Sequence, residues 1–151
     1  MTIAYFFLAL AMGAAVSIYI PMASQSSAMM GSPVLGNVPF FAVAFLSSVV
    51  IALGSGFRPG DISRVAHVPA WLFLSGAVSA VMIIGASFLV PRIGTGVFFV
   101  LLVTGQILLG AVISQFGLFN VPEQPINLMK AFGILMVLAG AILVSFNGTM
   151  E

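Results

Sequence analysis

Val68-Pro69-Ala70-Trp71-Leu72-Phe73-Leu74-Ser75-Gly76-Ala77-Val78-Ser79-Ala80-Val81-Met82-Ile83-Ile84-Gly85-Ala86-Ser87-Phe88-Leu89-Val90 contains no charged residue. An α-helix rises about 1.5 Å per residue, so roughly 20 apolar residues cross a hydrocarbon core about 30 Å thick. This stretch is long enough and has no polar face, so it reads as a buried span rather than as a surface helix. Outward from it, the same reading finds four more spans: about 3–29, 34–53, 93–113 and 128–146. Backbone amides and carbonyls in hydrocarbon must be satisfied within the segment, which long apolar runs achieve as helices. A transmembrane barrel would need short alternating strands instead. The expected fold is an all-α membrane protein, a five-helix transmembrane bundle, with residues 1–151 forming a single transmembrane domain.

Composition agrees. The chain is 62% hydrophobic and 5% charged, where soluble domains carry about 25% charged residues. A net charge of +1 argues against a nucleic-acid surface, which needs clustered Lys and Arg. The absence of Cys excludes disulfides, thiolate metal sites and Cys nucleophiles. One His (His67) and three acids do not build a metal cluster in one subunit, and scattered serines build no catalytic triad. The expectation is no enzyme, no metal and no cofactor. No basic stretch precedes Ile3, so the first span is read as retained rather than cleaved as a signal peptide.

The breaks carry turn chemistry. Gly31-Ser32-Pro33 separates spans one and two, and a polar stretch from Gly54 to Pro69 separates two and three. Pro91-Arg92-Ile93-Gly94 is a tight break before span four, and 120–127, with Pro122 and Pro125, precedes span five. Pro21 and Pro39 fall inside spans one and two, where each removes a backbone donor. They read either as packing kinks or as hinges lining a cavity, and the adjacent Ser24-Gln25-Ser26-Ser27 leans toward the second. Gly76, Ser79 and Gly85 mark span three, Gly94, Gly96, Gly105 and Gly110 mark span four, and Gly133 and Gly140 lie on one face of span five. Small residues let helix backbones approach, so these read as packing positions within the chain or between subunits.

Arg58, Asp61, Arg64 and His67 sit in the loop after span two, with Glu123 and Lys130 on the same side and Arg92 on the other. Lys130 lies just inside span five, from where its stem reaches the surface. Three basic residues against one place the N-terminus in the cytoplasm by a narrow margin, which leaves room for both orientations. No ionisable group lies deep in a span, so a buried carboxylate coupling site is not expected. What remains there is neutral: Ser17, Tyr19, Ser47, Ser48, Ser75, Ser79, Ser87, Thr104, Gln106 and Ser114. Gln106 stands out, because a primary amide unpaired in hydrocarbon is costly. It is expected to face other helices or water, as an interhelical hydrogen-bonding group or as a substrate contact.

Pro91-Arg92-Ile93-Gly94, Gly105-Gln106, Phe116-Gly117 and the span bearing Gly133 and Gly140, with Trp71 heading span three and Gly31-Ser32-Pro33 after span one, resemble the five-span YdcZ-type (DUF606) family of the drug/metabolite transporter superfamily. The resemblance runs over nearly the whole chain and rests on the order of short motifs. It implies one half of a ten-helix drug/metabolite transporter and a small-molecule exporter of a bacterial inner (plasma) membrane. Tyr19, Ala23 and Ser114 stand where the family pattern often has Gln, Asn and an acidic residue. With five spans the termini fall on opposite sides, so two copies in opposite orientation reproduce the inverted repeat of secondary transporters. The expected working unit is therefore an antiparallel dimer in the lipid bilayer, either a homodimer or a pair with a related five-span subunit. Alternating access would move the small-molecule substrate between the subunits. Substrate-path candidates are Gln106, Tyr19, Gln25, Trp71 and Arg92; packing or hinge candidates are Pro21, Pro39, Gly94, Gly105, Gly110, Gly133 and Gly140. The alternatives are a non-transporting assembly subunit and a lipid-handling protein.

Overall fold

A computed structural model describes residues 3–56, 60, 63 and 66–147. The charged residues Arg58, Asp61 and Arg64 of the loop after span two lie outside the described residues. Among the described residues five helices are long and apolar enough to cross a membrane: α1 (Ile3–Met29), α2 (Pro33–Gly54), α3 (Leu74–Ile93), α4 (Thr95–Gln115) and α5 (Leu128–Asn147). There is no strand among the described residues. The chain is an all-α membrane protein.

α1 and α2 are continuous helices through Pro21 and Pro39. The turn between them shows why its sequence is Gly-Ser-Pro. Gly31 adopts φ 69°, a left-handed conformation that glycine takes without steric cost. Ser32 is the N-cap of α2 and its hydroxyl accepts from the Leu35 amide at 3.4 Å. Pro33 occupies the first helical position, where a missing N–H is harmless. α3 begins later than the sequence reading placed it: Ala70–Phe73 forms a 3₁₀ turn ahead of Leu74. It also ends later. Proline's clash and missing donor act on the preceding turn, so a helix can run through Pro91 when only its last turn is affected. The break falls at Gly94, with φ 79°.

The chain divides into two compact units, residues 1–89 and 90–151. In the first, α1 packs on α2, and the contact is polar and close. Ile20, Ala23, Ser24 and Ser27 form the buried stripe of α1, and Gly36 and Asn37 that of α2. A Cβ added at Gly36 would overlap the Ser27 side chain and lie 2.6 Å from the Ser27 Cα. Here glycine is required by proximity. Hydrogen bonds reach α3 from both helices: Ser24 Oγ donates to the Ser87 carbonyl (3.4 Å) and Asn37 Nδ2 to the Ala80 carbonyl (3.3 Å). The Ser87 carbonyl is the one that Pro91, lacking an N–H, leaves without its helical donor. A serine from α1 supplies that donor. Large side chains such as Phe6, Leu46 and Met22 stay exposed, as expected where lipid tails are as apolar as leucine and packing relies on small and polar residues.

In the second unit α4 packs on α5. Phe98, Thr104 and Ala111 are the buried positions of α4. Gly117 ends α4 in a left-handed conformation (φ 60°), and the Glu123 side chain lies where a Cβ at Gly117 would sit. The following segment folds back on the helix end, with the Gln124 amide bonded to the Ser114 carbonyl (2.8 Å) and the Ile126 amide to Gln115 Oε1 (2.7 Å). Asn127 caps α5, its Oδ1 accepting from the Lys130 amide at 2.8 Å.

Candidate functional site

In the first unit, α1 and α2 enclose an open cavity of about 510 Å³. Tyr19, Ala23 and Ser26 line it from α1, and Pro39, Phe40 and Val43 from α2. The Tyr19 and Phe40 rings lie 5.9 Å apart at 33°. The polar groups along this wall are the Tyr19 hydroxyl and Ser26; the rest is apolar. Such a site suits a mostly hydrophobic molecule with one or two hydrogen-bonding groups. Beside it runs the buried seam of Ser24, Ser27, Asn37 and Ser87, in which Asn37 Oδ1 and Ser87 Oγ have no hydrogen-bond partner.

Of the sequence candidates, the structure brings Tyr19 and Pro39 together in that wall. Gln25 is exposed on α1 and is not part of it. Trp71 is exposed in the 3₁₀ turn heading α3, the position of an interfacial aromatic. Arg92 is exposed in the last turn of α3, where a cation complements the helix dipole. Gln106 is exposed on α4, and none of the hydrogen bonds among the described residues involves it. The buried polar residue of α4 is Thr104, which bonds the Val100 carbonyl of its own helix at 2.7 Å. Among the described residues of the second unit, then, Gln106 has no hydrogen-bond partner. Sequence position placed it at mid-span but did not fix which side of the helix it occupies. Ser17, Ser48 and Ser79 likewise turn back onto carbonyls four residues earlier in their own helices.

Most of the span glycines have room around them within their own unit. At Gly76, Gly85, Gly94, Gly96, Gly105, Gly110, Gly133 and Gly140 an added Cβ would meet nothing within 4 Å among the described residues. Gly94 instead makes the break before α4. The close contact is at Gly36, which the sequence reading passed over. A small residue on each side of the Gly-Ser-Pro turn, Ser27 and Gly36, was the available signal.

In the second unit grooves run along α4 and α5. One, of about 620 Å³, is bordered by Ser114, Gln124, Lys130, Gly110 and Gly133; another, of about 430 Å³, by Phe99, Val103, Gly140 and Val144. Among the described residues no group of His, Cys, Asp and Glu could hold a metal ion.

Comparison with known proteins supplies the family. No curated protein and no solved structure gives a significant match. Residues 4–143 match the family model described as "Putative inner membrane exporter, YdcZ". The match spans all of α2, α3 and α4 and most of α1 and α5, and the five apolar helices give it the membrane setting that its description requires. The chain is thus an integral inner-membrane protein, and it belongs to the YdcZ family of inner-membrane exporters.

Proposed function

We propose that the protein exports a small, largely apolar molecule as an antiparallel dimer of five-helix subunits working by alternating access, and that it is not an enzyme. The observation that carries the exporter reading is the family match over residues 4–143. The α1–α2 cavity supports it, since its wall is apolar with a few neutral polar groups and contains Pro39. Pro21, two residues after Tyr19, and Pro39 are the points where backbone hydrogen bonding is already interrupted. They are the natural hinges for opening and closing such a cavity.

The dimer reading is supported by Gln106. Its amide is exposed on α4, and in hydrocarbon an amide without partners costs about 2–7 kcal/mol. A second subunit, or a polar path between two subunits, gives it partners. The odd number of spans and the narrow charge bias favour opposite insertion of the two copies.

The test is reconstitution into liposomes with a panel of small organic cations, anions and neutral compounds. Protein-dependent movement of at least one compound is expected. Gln106→Leu should abolish that movement and leave the protein folded. If the amide only joins helices, the variant should instead lose about 0.6–2 kcal/mol of stability and still transport. Movement of no compound by well-folded dimers would favour the assembly-subunit reading.

A further inference from the structure

The groove between α4 and α5 has a charged head and an apolar body. Lys130, in the first turn of α5, stands at one end with Ser114 and Gln124. Its ammonium donates to the Gln124 backbone carbonyl at 3.2 Å. That is one of its three donors, and the acceptor is neutral. Among the described residues no carboxylate lies on Lys130, so an anion entering the groove would meet its ammonium. The positive end of the α5 dipole adds to the same preference for an anion.

Beyond this head the groove is apolar. The second, apolar groove along the same two helices shares Val137 as a wall residue with the first. Gly110 and Gly133 line the first and Gly140 the second, and each has open space where a side chain would be. These glycines do not draw the two helices together; they leave a channel beside them. Position 144 is fourteen residues beyond position 130, or about 21 Å at 1.5 Å per residue. One leaflet of the hydrocarbon core is about 15 Å deep, half of roughly 30 Å. A leaflet's depth is reached after about ten residues, at Gly140, so a lysine at the surface with apolar groove wall from there to Gly140 matches a lipid, headgroup and chain together.

We propose that the α4–α5 groove holds one anionic phospholipid of the bilayer, its phosphate on Lys130 and one acyl chain along Gly133 to Gly140. The charge specifies an anionic headgroup, and the glycines provide the room for the chain. The site is independent of the α1–α2 cavity and does not depend on the export reading.

Native mass spectrometry of the purified protein, titrated with phosphatidylglycerol or phosphatidylcholine in the same detergent, tests this. Wild type should bind one phosphatidylglycerol per subunit in preference to phosphatidylcholine. Lys130→Gln should reduce that preference about fivefold, the equivalent of ~1 kcal/mol for one basic residue at a lipid surface. Lys130→Arg should retain it. Gly140→Leu, which fills the channel without touching the charge, should weaken binding of both lipids. Circular dichroism on each variant confirms that the helices are intact, and the two substitutions act on different parts of the site. Equal binding of the two lipids by wild type, or an undiminished preference in Lys130→Gln, would overturn the proposal. So would a Gly140→Leu variant that separates subunits and leaves lipid binding unchanged, since a helix of a second copy would then be the occupant.

Discussion

Ser24→Ala removes the hydroxyl that donates to the Ser87 carbonyl, and Pro91 determines what that loss costs. In an uninterrupted helix the amide at position 91 would donate to that carbonyl; proline has no N–H to give. The bond from Ser24 is long, at 3.4 Å, near the weak limit of hydrogen-bond geometry. Hydrogen bonds between membrane helices contribute about 0.6 kcal/mol on average and about 1.7 at most. Ser24 and Ser87 are 5% exposed, so water does not readily replace the lost donor, and an orphaned buried acceptor costs about 1–3 kcal/mol. The long geometry places the expected loss at the lower end, about 0.5–1.5 kcal/mol. In a Pro91→Ala background the amide at position 91 is restored and serves the carbonyl itself. Ser24→Ala should then cost nearly nothing. A double-mutant cycle, measured by equilibrium unfolding in mixed detergent micelles with Trp71 fluorescence as the readout, should give a coupling of about 0.5–1 kcal/mol. Additivity of the two substitutions within about 0.3–0.5 kcal/mol, the behaviour of independent sites, would refute the idea that Ser24 replaces the donor lost at Pro91.

Gly36→Ala should destabilise the α1–α2 pair by about 1–3 kcal/mol, the range for forced overpacking, because its Cβ would overlap Ser27. Gly76→Ala, in open space on α3, should leave thermal stability unchanged or raise it by up to about 1 kcal/mol; a similar loss at both positions would contradict the packing account. Asn127→Ala should cost about 1 kcal/mol through loss of the α5 cap, seen as faster hydrogen exchange at residues 128–131, and unaltered exchange there would show that the cap does not hold the helix start.

The spans were legible because long apolar runs have no alternative but helix in lipid. α1 runs on past Pro21 to Met29, and α2 and α5 agree to within a residue at each end. The boundaries of α3 were less legible. Proline marks a probable break, yet Pro91 falls in a last turn where only one carbonyl loses its donor, and the φ of Gly94 decides the ending. The interior was harder to read. In a chain that is 62% hydrophobic, apolar periodicity does not separate an inward face from a lipid face, so Gln106 could be placed in depth but not in direction. Glycines suffered the same ambiguity: Gly140 and Gly36 look alike in sequence, and one borders a groove while the other touches Ser27. The unmet Ser87 carbonyl was available in principle from the i−4 relation to Pro91, but naming the serine that answers it required the hydrogen bond from α1 seen in the structure.

The central claim is a dimer of oppositely inserted five-helix subunits, and it is tested most directly by counting accessible ends in individual dimers. The chain has no cysteine, so a single cysteine added at the N-terminus is a unique label site. Purified dimers reconstituted in sealed liposomes are treated with a membrane-impermeant maleimide dye, then solubilised, and dyes per dimer are counted by single-molecule photobleaching. Opposite insertion predicts one dye per dimer, and the same result when the cysteine is added at the C-terminus instead. Dimers carrying two dyes or none, whatever their overall proportion, would mean that both subunits insert the same way and would contradict the account.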